Sequence, residues 1–198
     1  MTIVGLGNPG AEYENTRHNT GRLVLDIFRQ KNDLPDWEEN KKLRSLVSIG
    51  KIGKTKISLL LPETFMNKSG EAISKLIKSK KAAEDLVVIH DDLDLPSGRF
   101  KISFNRGAAG HRGVSSIVKA LKTEAFTRIR VGISPAGAKG KVKKPMGEKP
   151  IIDFILGKFK PAELATLKKL SKKISGAIET IVTEGREKAM AKSNHRVV

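Results

Sequence analysis

Residues 2–10 read TIVGLGNPG. The apolar run from Thr2 to Leu6 stops in Gly-Asn-Pro-Gly, which predicts a buried strand delivered into a tight loop. Beyond that loop, Leu23, Val24, Ile27 and Phe28 recur at helical spacing within Asn19–Gln30. Arg44 to Leu61 carries two β-rich stretches, and Gly50 and Gly53 favour a hairpin between them. An amphipathic helix is predicted over Lys68–Lys81, with Ala72, Ile73, Leu76 and Ile77 on its apolar face. Leu86 to Ile89 reads as a short buried strand ending at His-Asp-Asp-Leu-Asp, and Arg99–Phe104 and Thr127–Ser134 as further strands. Between those two, a Gly-rich loop leads into a helix over Val114–Leu121. Strands separated by helices define an α/β class, and the hairpin adds antiparallel pairing.

The C-terminal part has another texture. Residues 134–150 combine Pro and Gly punctuation with five Lys and predict a mobile basic loop around 135–150. Pro161 opens a long helix striped with Leu164, Leu167, Leu170, Ile174, Ile178 and Ile181, and Gly185 ends it. The basic tail that follows lacks periodicity and is expected to fray.

Composition bounds the function. The 198 residues hold 38 Lys and Arg against 21 Asp and Glu, a net charge of +17. The absence of Cys excludes disulfides, thiolate-bound zinc, iron–sulfur clusters and thiol catalysis. No apolar stretch is long enough to span a membrane, and the N-terminus lacks the basic and apolar regions of a signal peptide. These features predict a single soluble domain over 1–198, cytoplasmic, with an anionic partner such as nucleic acid. Aromatic residues are only 5%, which favours a folded, phosphate-rich partner over a long threaded single strand.

In α/β sheets, sites gather where strands end in loops. Four loops qualify: 7–20, 62–68, 90–98 and 105–113. Of the four His residues (His18, His90, His111 and His195), His18 stands in the first of these loops, just before a helix. Asn8, Asn67 and Asp91 lie on its neighbours and can converge on it. An Asp bonded to one imidazole nitrogen fixes the tautomer and leaves the other as a base. The run HDDLD at 90–94 has three readings: a hard-metal site, turn capping with surface pairing, or orientation of that His. Strand alternation lets only some of its carboxylates face one site, which weakens the metal reading. Tyr13 can stack on a terminal base or simply cover the core edge. Gly5, Gly7 and Gly10 match a dinucleotide fingerprint formally, but Pro9 and the late helix start disqualify it. No P-loop and no Ser nucleophile elbow is present. Hydrolysis would therefore use a directly activated water.

Several strings in order resemble the bacterial-type peptidyl-tRNA hydrolase family: IVGLGNPG at 3–10, YENTRHNTG at 13–21, PETFMNKSG at 62–70, HDDLDLPSG at 90–98 and GHRG at 110–113. FTRIRVGIS at 126–134 and FILGKF at 154–159 extend the likeness. The resemblance implies a single-domain α/β/α sandwich on a mixed, largely parallel central sheet, and a monomeric enzyme that cleaves the ester between a peptide and the 3′-terminal ribose of tRNA, without metal or other cofactor. It implies His18 as catalytic base and Asp91 as the group positioning it. Asn8 and Asn67 would bind substrate and the tetrahedral intermediate, and Met66 and Tyr13 would line the channel near peptide and terminal adenosine. Arg112 departs from the family, which has Asn there, and is expected to grip a phosphate or ribose instead. Lys101 and Arg130, on strands bordering the Gly-rich loop, are the phosphate candidates for the acceptor stem. The alternative is a catalytically silent RNA-binding relative of the same fold, as in intron splicing; a generic basic RNA-binding domain is a third reading.

Overall fold

The structure, a computed structural model, describes residues 1–137 and 142–194. Seven strands form one sheet in the order β2-β3-β4-β1-β5-β7-β6. They are β1 (Thr2–Gly5), β2 (Glu38–Asn40), β3 (Ser45–Ile52), β4 (Thr55–Pro62), β5 (Leu86–Pro96), β6 (Phe100–Phe104) and β7 (Thr127–Ser134). The four central strands β4, β1, β5 and β7 run parallel. Antiparallel pairing is confined to the margins, where β3 joins β2 and β4, and β6 joins β7. The sheet is therefore mixed, as the hairpin predicted, and the parallel centre sends its C-terminal ends to one edge.

Helices cover both faces. On one face α1 (Thr20–Lys31), α6 (Pro161–Glu184) and α7 (Arg186–Asn194) bury Phe28, Ile174, Ile178 and Ala189 against Ile3, Leu59 and Ile89. On the other, α2 (Ser69–Leu76), α3 (Lys80–Ala83) and α4 (Arg112–Leu121) bury Ile73, Ala83, Val114 and Ile117 against Val4, Leu60 and Val88. Each fully buried aliphatic or aromatic side chain contributes roughly 1.5–3 kcal/mol. Gly21 allows a very close backbone approach: a Cβ there would run into the Ile89 carbonyl oxygen and the Leu6 backbone. This glycine lets α1, and the turn before it that carries His18, press directly on β1 and β5.

Four expectations need correction. The helix predicted over Lys68–Lys81 is split. Ile77 is extended and 8% exposed in the core, and Ser79 restarts a helix by accepting the Ala82 N–H at 3.0 Å. β5 does not stop at Ile89; its backbone stays paired with β7 through Asp92↔Gly132 and rejoins at Pro96↔Ser134. Within the basic loop, residues 138–141 lie outside the described part, and from Glu148 the chain is helical, as α5 (Glu148–Leu156). Pro150 falls in the first turn of α5, where proline is tolerated. The tail is not frayed up to Asn194: Ala189 is fully buried, and Asn194 bonds both the N–H and the C=O of Ile102 on β6, at 3.0 and 2.9 Å. His195 lies outside the described residues. No helix among the described residues is long and apolar enough to cross a membrane.

Candidate active site

The loop after β1 folds back so that a 3-10 turn, Arg17–Asn19, stands over the middle of β5. There the Nδ1 of His18 lies 3.1 and 3.0 Å from the two Asp91 carboxylate oxygens. A carboxylate only accepts, so Nδ1 carries the proton and Nε2 keeps its lone pair. Nε2 has no partner among the described residues.

A second imidazole completes the arrangement. His111 Nε2–H donates to Asp91 Oδ1 at 2.9 Å, and its Nδ1 accepts the Val114 N–H at 3.2 Å. Both ring nitrogens are committed, so His111 is a neutral donor. Burial alone would push the Asp91 carboxyl upward, but His18 and His111 outweigh it and hold the group well below the usual carboxylate range. His90 packs against His111, ring centroids 4.6 Å apart, and its Nδ1–H donates to the Asp91 carbonyl at 2.7 Å. Burial, helped by His111 and Arg128, holds His90 well below the ordinary histidine range. Its Nε2 is buried without a partner.

The three carboxylates of HDDLD take three different partners. Asp91 meets the imidazoles, Asp92 accepts Arg130 Nε at 2.6 Å, and Asp94 pairs with Lys144. The grouping best suited to a metal is instead His18, Asp91 and His111, with one ligand atom each within 4.8 Å of one another. In this grouping the two imidazole nitrogens that face Asp91 donate N–H bonds to its carboxylate at 2.9–3.1 Å, so the lone pairs a metal would need there are taken by protons.

Two hollows meet at His18. One, of about 380 Å³, lies between the end of β5, the 108–112 loop and α5, with Gly110, Arg112 and Lys144 on its wall. The other, of about 350 Å³, is lined by Asn8, Phe65, Met66, Asn67, Ile155 and Leu156. His18, Arg112, Ile152 and Ile155 border both. Asn8 is held rigidly: its Oδ1 accepts the Met66 N–H at 2.8 Å, while Asn19 bonds its backbone N–H and C=O at 2.8 and 2.9 Å. That fixes the amide so that Nδ2 is its free donor. Asn67 is exposed on a 3-10 turn beside it.

Asn8, His18, Met66 and Asn67 thus come together as expected, with Asp91 beneath. Tyr13 lines neither hollow; it packs edge-on against Phe65, centroids 6.3 Å apart. Arg112 is exposed and bonded to Glu148 at 2.9 Å. Lys101 and Arg130 face each other across the β6–β7 ladder, outside both hollows. Sequence reasoning took His90 only as part of the HDDLD run and missed His111, Asn19 and the α5 wall. The string GHRG held the only signal for His111.

A base lone pair beside the fixed Asn8 amide donor and the exposed Asn67 amide, with no Cys or Ser elbow to act as nucleophile, suits water-dependent cleavage of an acyl bond. The family model described as peptidyl-tRNA hydrolase matches residues 2–198, and the chain belongs to that family. It is 40% identical to a peptidyl-tRNA hydrolase of Shouchella clausii over 89% of this chain and 90% of that one. It is likewise 40% identical to one of Carboxydothermus hydrogenoformans, covering 97% of each. A crystal structure of peptidyl-tRNA hydrolase from Acinetobacter baumannii superimposes with a TM-score of 0.86 at 28% identity, over 98% of this chain and 94% of that one.

Proposed function

We propose that this chain hydrolyses the ester between a peptide, or an N-blocked amino acid, and the 3′-terminal ribose of tRNA. The observation that carries this reading is the vacant His18 Nε2 where the two hollows meet. Nε2 removes a proton from water, whose oxygen attacks the ester carbonyl carbon. Asp91 holds the ring and stabilises the imidazolium that forms. The Nδ2 of Asn8 and the amide of Asn67 donate to the developing oxyanion. As the intermediate collapses, the ester C–O bond breaks and the imidazolium returns its proton to the ribose oxygen. The products are a free peptide carboxylate and tRNA with a 3′-hydroxyl.

The hollow of Phe65, Met66 and Leu156 suits peptide side chains, and Tyr13 supports it through Phe65. The hollow with Gly110, Arg112 and Lys144 suits the terminal nucleotide. The exposure of Lys101 supports it as a contact for acceptor-stem phosphates, and Arg130 opposite it, with its Nε held by Asp92, keeps only its terminal N–H groups for such a contact; the net charge of +17 draws tRNA in. The intact His18–Asp91 pair argues against a silent RNA-binding relative. The reading also includes one catalytic domain over 1–198, acting as a cytoplasmic monomer.

The test is hydrolysis of N-blocked aminoacyl-tRNA. His18→Ala is expected to lower turnover by about 10²–10⁴-fold, the usual contribution of a positioned general base, while tRNA binding persists. Undiminished turnover overturns the reading. We propose no metal role, so EDTA is expected to leave the rate unchanged, and chelation that abolished it would revive the site at His18, Asp91 and His111.

A further inference from the structure

Among the described residues, the wall between the two hollows contains one Lys or Arg that borders both, Arg112, on the first turn of α4. Its Nη2 donates to Glu148 Oε1 at 2.9 Å, with the two side chains 62% and 78% exposed. Glu148 opens α5 directly after Gly147, and α5 has no fully buried residue. The opposite end of α5 is held differently. Arg17, 8% exposed, lies 4.5 Å from the Phe154 ring centroid, donates to the Phe154 carbonyl at 3.3 Å and pairs with Glu163 at 2.8 Å. The roof is thus anchored at one end by a buried guanidinium and at the other by a solvated ion pair.

An exposed ion pair is worth little, because water and salt screen it. A phosphodiester offers the same guanidinium two oxygens in the forked geometry arginine prefers. With the scissile ester over His18 Nε2, the nearest anion of the substrate is the phosphate on the same terminal sugar. We propose that Arg112 recognises the 5′-phosphate of the terminal nucleotide, and that Glu148 occupies Arg112 in the free protein and is displaced when that phosphate arrives. The inference rests on the peptidyl-tRNA reading. It makes Arg112 a specificity-determining residue, and Glu148 an internal competitor of the substrate.

Two measurements test it. The first is a kinetic cycle on N-blocked aminoacyl-tRNA. Arg112→Gln is expected to raise KM about tenfold with little change in kcat, the scale of one hydrogen bond to a charged group. Glu148→Gln is expected to lower KM by up to about twofold, and to do nothing in the Arg112→Gln background. The second is inhibition by 5′-AMP and by adenosine. Wild type is expected to bind 5′-AMP about tenfold more tightly, and Arg112→Gln to lose that difference.

Equal inhibition of wild type by the two ligands, or a preference for 5′-AMP that survives in Arg112→Gln, overturns the proposal. So does a kcat loss with unchanged KM, which would put the guanidinium at the reacting carbonyl, or an equal effect of Glu148→Gln in both backgrounds. Failure of the wild type to hydrolyse the aminoacyl-tRNA at all overturns the peptidyl-tRNA reading itself and is separately visible.

Discussion

Asp91 and Glu148 are both carboxylates paired with basic side chains around one cleft, yet their side chains are 3% and 78% exposed. Asp91 takes a hydrogen bond from each of two imidazoles whose other ring nitrogens meet the backbone or open space. Nothing there can rotate without leaving a buried group unpaired, which costs about 1–3 kcal/mol or more for a charge. Glu148 faces water, and releasing it costs almost nothing. The floor of the cleft holds a geometry, and the rim holds a replaceable contact. A hydrolase acting on a large substrate needs both: the base stays fixed while the edge exchanges partners with each arriving molecule.

The sharpest way to break this contrast is at Asp91. Asp91→Asn preserves shape but offers one acceptor where two N–H donors converge, so one imidazole must turn or change tautomer. We expect kcat to fall by about 10³-fold with KM nearly unchanged. A wild-type kcat would mean that the floor tolerates disorder.

His90 tests the same floor through pH. Its folded-state value is lowered while the unfolded chain keeps the ordinary one near 6.5, so below about pH 6.5 the unfolded state binds the extra proton. Stability then falls as pH drops, by up to about 1.4 kcal/mol per unit from this group. His90→Asn, which keeps a donor for the Asp91 carbonyl, is expected to flatten the decline between pH 6.5 and 5. Urea unfolding of both proteins across that range checks it, and parallel slopes would show that His90 charges freely in the folded protein.

At the rim the expected effect is smallest. A double-mutant cycle of Arg112→Gln and Glu148→Gln on unfolding free energy should give a coupling of about 0.5 kcal/mol or less. A coupling several times larger would make α5 a fixed part of the fold and would erase the contrast with Asp91.

Much of the floor could be read from sequence because parallel strands place their loops side by side. Asn8, His18 and Asn67 each follow a strand of the parallel centre, and a loop inventory was enough to group them. Other parts were hidden for physical reasons. β5 continues through HDDLD because backbone pairing with Val131 and Gly132 holds it extended, while its charged side chains find partners far away in sequence. His111 is 20 residues from Asp91, and only the fold of the Gly-rich loop joins them. α5 carries Pro150 and buries no residue completely, so neither propensity nor periodicity announced it. α7 buries fully only Ala189, too small a residue to register as an apolar stripe.

The last described turn of that helix has a consequence for how the molecule meets its own copies. β6 is the outermost strand on its side, and an outermost strand offers unpaired amides and carbonyls to any extended chain that passes. Asn194 presents its side-chain amide to Ile102 as a neighbouring strand would, giving one acceptor and one donor. A single side chain thus interrupts the template at the middle residue of β6, and the open flank of a seven-stranded sheet is closed to strand addition at that point.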